Sequence, residues 1–393
     1  MEALRLIWDD AFLRYDFGPH HPMSPLRLEL AERLISELGL LAPPEVAVDA
    51  AEPATDEVLA LVHEPRYVGA VRAASGRPGV PDLRFGLGTE DVPVFPGMHE
   101  VSAIIADGSR RAATAVSAGE ARHAVNIAGG LHHAMPARAS GFCVYNDVAL
   151  AIVALKDAGA RRVAYVDVDV HHGDGVERIF WDDPDVLTIS LHETGRVLFP
   201  GTGDASDVGG GAAAGAAVNV AFPPGTGDAG WLRAFHAVVP PLLRAFAPDV
   251  LVTQHGCDSH ALDPLAHMAL SLDAQRASYA ALHDLAHEVA GGRWVALGGG
   301  GYEVVDVVPR AWAHLVGIAA HRPIDPASAV PDGWRMYVSE RVGRPGPARF
   351  TDGRDGGYTP WSKGSDPADP VDRAVTATRR AVFPLHGLDP WFD

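Results

Sequence analysis

The chain has 393 residues, 47% of them hydrophobic and 21% charged, with a formal charge of −18; this is the balance of a globular protein long enough for one large domain or two average ones. The acidic excess argues against a nucleic-acid partner, which needs clustered Lys and Arg. No apolar run reaches the 18 residues of a membrane span, Met1-Glu2-Ala3-Leu4-Arg5 lacks a signal peptide's architecture, and two cysteines argue against a disulfide; the expectation is a cytoplasmic protein with no membrane partner.

In chain order, a strand-like run at Leu4 to Trp8 precedes helix-like segments at Pro25 to Leu38 and His99 to Ala118. Strand His123 to Ile127, helix Asn146 to Ala158 and strand Arg162 to Val170 follow, then strands Val186 to His192 and Val218 to Ala221. The last stretch alternates helix Gly230 to Phe246, strand Val250 to Gln254, helix Ala274 to Ala290 and strand Trp294 to Leu297. Such alternation predicts an α/β fold, one open parallel sheet with helices on both faces. The pair Pro240-Pro241 is expected to kink or divide its helix. One domain is expected over residues 1–320. Residues 321–393, rich in Pro and Gly, read as an irregular extension packed on it. The long loops Gly76 to Gly97 and Glu193 to Gly215 have the length of functional loops.

Chemistry concentrates in a few segments. In the run Arg162 to Val170, the stretch from Val163 on is apolar except at Asp167 and Asp169, and it runs into His171-His172-Gly173-Asp174. As a strand it turns Asp167, Asp169 and His171 to one face. Ionised carboxylates in such a run need a metal or hydrogen-bonding partners to offset their burial. An edge strand with a wet polar face is the alternative, and the valines on the other positions argue against it. The tandem His132-His133 follows a strand and the turn Gly129-Gly130, placing both imidazoles on a loop at a strand's carboxyl end, where open α/β sheets bind ligands. Asp258 follows Gly256-Cys257. Tyr302 ends the loop Gly298 to Gly301, and no Gly-Lys-Ser/Thr follows it, which excludes a nucleotide-binding loop.

These segments join others in a fixed order: His21-Pro22-Met23-Ser24-Pro25-Leu26-Arg27, Gly-Gly-Leu-His132-His133-Ala, Gly141-Phe142-Cys143-Val144-Tyr145-Asn146-Asp147, Asp-Val-Asp-Val-His-His-Gly-Asp-Gly, Ser190-Leu191-His192, Phe199-Pro200-Gly201-Thr202-Gly203, Gln254-His255-Gly256-Cys257-Asp258 and Gly298 to Tyr302. Over residues 5 to 320 the chain thereby resembles the histone deacetylase family, and within it the bacterial acetoin-utilisation deacetylases, with their arginase/deacetylase-like fold. The resemblance implies a catalytic site with metal ligands Asp169, His171 and Asp258, zinc by default with ferrous iron as the alternative. It pairs His132 with Asp167 and His133 with Asp174, makes His133 the general base and gives His132 an electrostatic role. Tyr302 becomes the donor to the oxyanion. Phe142 and Phe199 become the walls of a narrow tunnel that Gly141 leaves open, Leu265 an apolar rim position and Asp91 a rim carboxylate for the substrate backbone. A potassium site is implied at Asp167, Asp169, His171, Ser190 and Leu191, and Arg27 either lines an acetate exit path or is a plain helix-surface arginine.

The activity implied by the resemblance is hydrolysis of acetyl-lysine in a protein, in acetoin or acetate metabolism, to which the acidic charge is suited; a small acylated amine is the other substrate class. Neither cysteine is needed as a nucleophile. The alternative is an acetylpolyamine amidohydrolase, for which apolar Leu265 replaces the acidic gatekeeper expected. An arginase-type ureohydrolase would need ligands for two metals, and a silent acyl-lysine binder would not need the paired histidines. His255 and His260 are open between support of the site and ordinary packing, and the oligomeric state is open.

Overall fold

The structure, a computed structural model, describes residues 2–42 and 46–393. Its strands are β1 Glu2–Ile7, β2 Val46–Asp49, β3 Ala121–Asn126, β4 Val163–Asp167, β5 Val186–Glu193, β6 Ala217–Phe222, β7 Val250–Gln254 and β8 Trp294–Leu297. Its helices are α1 Leu26–Glu37, α2 Asp56–Leu59, α3 Pro65–Ser75, α4 Met98–Ser117, α5 Asp147–Asp157, α6 Asp174–Phe180, α7 Asp228–Phe246, α8 Leu272–Ala290, α9 Val308–Ala319, α10 Asp332–Val342 and α11 Pro370–Val382. All eight strands form one parallel sheet in the order β2-β1-β3-β8-β7-β4-β5-β6. Every residue of β4, β5, β7 and β8 is buried, so both faces of the sheet's centre are covered.

Two local expectations are corrected, for the end of β4 and for the segment after residue 320, and the one for α7 is narrowed. The run from Arg162 leaves the strand at Asp167, three residues short of Val170. Helix α7 runs through Pro240 and Pro241 without dividing. Pro241 has no N–H for the carbonyl of Ala237, and the buried guanidinium of Arg379 donates to that oxygen instead, removing the penalty of an orphaned acceptor. Arg379 belongs to α11, which with α10 makes the segment after residue 320 partly helical rather than irregular. Asp369 caps α11 by accepting from Val371 N at 2.8 Å, and Pro370 occupies its first turn.

Several histidines are built into the core as neutral rings. His63 Nδ1 donates to Met135 O at 3.0 Å while Nε2 accepts from Asn146 N at 2.9 Å, a pattern only the uncharged tautomer satisfies. Burial lowers the pKa of His63 and of His314 to about 4, and of His255 to about 3. These folded-state values lie below the unfolded value of about 6.5. Between the two, the unfolded chain binds more protons, so stability is complete above the unfolded pKa and is lost as pH falls. The melting temperature is therefore expected to decline from about pH 6.5, above the range where carboxylates titrate; a melting temperature that stays flat from neutral pH to the carboxylate range would exclude this account.

Candidate active site at the carboxyl edge of the sheet

The registers Asn126 with Leu297, Gln254 with Leu297 and Asp167 with Gln254 align the carboxyl ends of β3, β8, β7 and β4. From β4 the chain moves outward to β5 and β6, then returns to β7 on β4's other side. That switch of direction opens a crevice between the loops after β4 and β7, the usual ligand position in an open α/β sheet.

The loop after β4 is shaped by carboxylates. Asp167 Oδ1 accepts from Asp169 N at 3.2 Å, Asp169 Oδ1 from His171 N at 2.9 Å, and Asp258 Oδ1 from Val170 N at 2.9 Å. These bonds take backbone donors that a continuing strand would use in its ladder, which is why β4 stops. The strand alternation expected for Asp167, Asp169 and His171 fails there, and they divide between two tasks. Asp167 Oδ2 accepts from His132 Nδ1 and from the Tyr165 hydroxyl, both at 2.7 Å. Asp169 and His171 turn to Asp258.

One ligand atom each from Asp169, His171 and Asp258 lies within 4.8 Å of the others, all three residues buried. Asp169 Oδ2 is engaged by Gln254 Nε2 at 2.8 Å and Gly300 N at 2.7 Å, and Asp258 Oδ1 by Val170 N. The second oxygen of each carboxylate stands 3.1 Å from His171 Nδ1. Two anionic oxygens and one imidazole nitrogen converging, with the remaining oxygens oriented by protein donors, fit a borderline divalent ion. Gly300 is required at this point, because a Cβ there would lie 2.0 Å from Asp258 Oδ2.

The charge balance is equally specific. Burial lowers the pKa of His171, but hydrogen bonds and charge from Asp169 and Asp258 outweigh it and push it up to about 10. Burial and the charge of Asp169 push Asp258 up to about 6. The His132 Nε2 and His133 Nε2 atoms are 3.0 Å apart, and His133 Nδ1 donates to Asp174 Oδ1 at 2.6 Å. For His132, burial is outweighed by Asp167 and Asp169, and its pKa rises to about 9; for His133, burial and the neighbouring His132 cation prevail, and it falls to about 4. The two shifts run in opposite directions, favouring the proton on His132 and leaving His133 the readier base.

The Tyr302 ring packs edge-on to Phe142 at 5.7 Å, and burial followed by the charges of Asp258 and Asp169 keeps its hydroxyl protonated. Phe199, 44% exposed, lies 5.0 Å from the His133 ring and 6.4 Å from that of His171. Gly141, at φ 54°, packs its backbone on His133: a Cβ would meet the ring Cδ2 at 2.2 Å. Asp91 Oδ2 accepts from Gly141 N at 2.7 Å, bracing the turn that carries Phe142. Leu265, partly buried, is joined to the site through Asp263, whose carboxylate accepts from Leu265 N at 3.0 Å and Tyr302 N at 2.8 Å. Ser190 and Leu191 are buried on β5, with Ser190 in register with Asp167.

Arg27 is buried, donates to Gly299 O at 2.6 Å and lies over Trp312, which excludes the helix-surface reading. His260 bonds Asp352 Oδ2 at 2.7 Å and His255 bonds Thr253 Oγ1 at 2.7 Å, one tying the site to the chain's last segment, the other packing the core. Cys143 and Cys257 are buried, and burial holds both thiols protonated. Gln254, Tyr165 and Asp263 were not among the residues singled out by sequence; a glutamine ending a wholly buried strand is the one local signal among them.

A profile of the histone deacetylase domain family matches residues 21–319. An acetoin utilization protein AcuC from Bacillus subtilis (strain 168) is 39% identical over 351 residues, 89% of this chain and 90% of that protein. A namesake from Staphylococcus aureus (strain MRSA252) is 36% identical over 364 residues, 91% of this chain and 92% of its own. The crystal structure of the HDA15 HD domain superposes with a TM-score of 0.73 at 27% identity, covering 87% of this chain and 96% of that one.

Proposed function

The chain belongs to the histone deacetylase family, and from that membership we propose that it is a zinc-dependent lysine deacetylase that releases acetate from acylated proteins, acting in the cytoplasm in acetoin or acetate metabolism. The observation that carries the proposal is the imidazole pair His132 and His133, Nε2 atoms 3.0 Å apart and each backed by a carboxylate, Asp167 and Asp174, beside the donor set Asp169, His171 and Asp258. An ion held by those three residues would supply Lewis-acid polarisation of the acyl carbonyl and acidify the attacking water. Ferrous iron suits the same donors. Residues 1–320 would form the catalytic domain and residues 321–393 an extension packed on it. A potassium ion near Asp167, Asp169, His171, Ser190 and Leu191 would offset buried negative charge.

His133, neutral and oriented by Asp174, removes the proton from water as the new C–O bond forms. It returns that proton to the departing amine as the C–N bond breaks, giving acetate and free lysine. The His132 cation, fixed by Asp167, stabilises negative charge on the reacting carbonyl oxygen together with the Tyr302 hydroxyl. Phe142 and Phe199 flank the aliphatic stem and exclude water; Asp91 holds that wall and offers its carboxylate at the rim.

Tyr302→Phe is expected to lower kcat by about 10²- to 10³-fold, the cost of one missing oxyanion donor, with little change in KM. Acetate release from an acetyl-lysine peptide, acetylspermidine and acetylputrescine checks this and the substrate class together. Faster turnover of the polyamines would move the assignment to an acetylpolyamine amidohydrolase, against which partly buried, apolar Leu265 stands.

A further inference from the structure

At the sheet's other edge, away from His132 and His133, four imidazoles meet. His123 lies in the first half of β3, His283 and His287 are one turn apart on α8, and His321 follows α9; one ligand nitrogen from each lies within 4.8 Å of the others. The rings stand 4.7 Å apart for His283 and His287 and 4.8 Å for His123 and His321.

The nitrogen bookkeeping of this cluster points to a ligand. His123 Nδ1 donates to Ala319 O at 2.7 Å, which leaves the lone pair on Nε2, 3.2 Å from His287 Nε2. Two nitrogens bound to one tetrahedral ion at about 2.0–2.1 Å stand about 3.3 Å apart. His283 Nδ1 lies 3.3 Å from Asp284 Oδ1, so its lone pair is on Nε2; that atom is buried and has no hydrogen-bond partner among the described residues. An unpaired buried nitrogen costs stability that a coordinated ion would recover. A carbonyl behind one imidazole and a carboxylate behind another are the arrangements that orient metal-ligating histidines. His287 and His321 are exposed and give the site an entrance, while Trp294 packs edge-on to His123 at 5.5 Å and His283 at 5.7 Å and forms its floor. His321 holds a left-handed backbone at φ 56°, which brings its ring to the cluster.

We propose that His123, His283, His287 and His321 form a second metal site, independent of Asp169, His171 and Asp258, which binds a borderline transition-metal dication such as zinc and clips β3, α8 and the chain after α9 together. Four neutral nitrogen donors without a carboxylate favour zinc, copper or nickel over magnesium or calcium.

The test compares the full-length protein, His287→Ala/His321→Ala, His287→Gln/His321→Gln and Asp258→Asn after stripping with chelator and dialysis against zinc. Metal per chain, zinc titration calorimetry and melting temperature are read. Expected are about two zinc ions on the wild type and one on each variant, with affinity at the histidine site reduced more than about 100-fold in both histidine double variants. Their acetate release and circular dichroism should match wild type. Zinc content and a zinc-induced melting shift unchanged in the double variants, or no zinc on Asp258→Asn, would overturn the site. Loss of all zinc from the double variants with one ion kept by Asp258→Asn would instead support this site and remove the metal from the proposed catalytic centre.

Discussion

Asp258→Asn is expected to reduce acetate release by at least about 10⁴-fold, the loss of a Lewis acid worth several kcal/mol in the transition state. The substitution keeps the side chain's size and an oxygen able to accept from Val170 N, the bond Asp258 Oδ1 makes at 2.9 Å. What it removes is the anionic oxygen 3.1 Å from His171 Nδ1. Retained activity would show that Asp258 holds no essential ion, and a large loss of stability would show that its carboxylate serves the fold.

The sheet's centre was legible because the apolar stretches Val163 to Val166 in β4, Val250 to Val252 in β7 and Trp294 to Leu297 in β8 are continuous, as strands covered on both faces require. β2 was not: Val46-Ala47-Val48-Asp49 is a short edge strand with Val48 45% exposed, so neither burial nor alternation marks it. α9 was missed for the opposite reason, since it is buried on every side and apolar except at Arg310 and His314. The start of α11 was hidden in Asp366-Pro367-Ala368-Asp369-Pro370, which reads as loop until Asp369 is seen to cap the helix. In the site, Asp169 and His171 were legible as ionisable residues in an apolar run, whereas the reach of Gln254 to Asp169 and of Asp263 to Tyr302 depends on partners far away in sequence. The four-histidine cluster had one local sign, the His283 and His287 spacing of a helical turn; its other members come from β3 and the end of α9.

His133→Ala is expected to lower kcat by about 10²- to 10⁴-fold, the range for a lost general base. His132→Ala should cost less and, more tellingly, change the pH profile. In the wild type, burial and then the charge of His132 hold the His133 pKa down at about 4, against the pull of Asp174. His133 is thus a free base above that value, and activity that depends on it is lost as pH falls through it. His132, held up at about 9 by Asp167 and Asp169 against burial, loses its charge as pH rises through that value; a divalent ion on Asp169 would bring this limb lower. Removing His132 removes the cation that depresses His133. The acid limb of kcat should then move upward, towards the ordinary imidazole range near 6.5. Asp174→Asn removes a carboxylate that raises His133 and should weaken the base with no such upward movement. Profiles of kcat against pH for the three variants separate the two imidazoles: an acid limb in His132→Ala that stays in place or moves down would mean that His133 is not the base whose charge His132 controls.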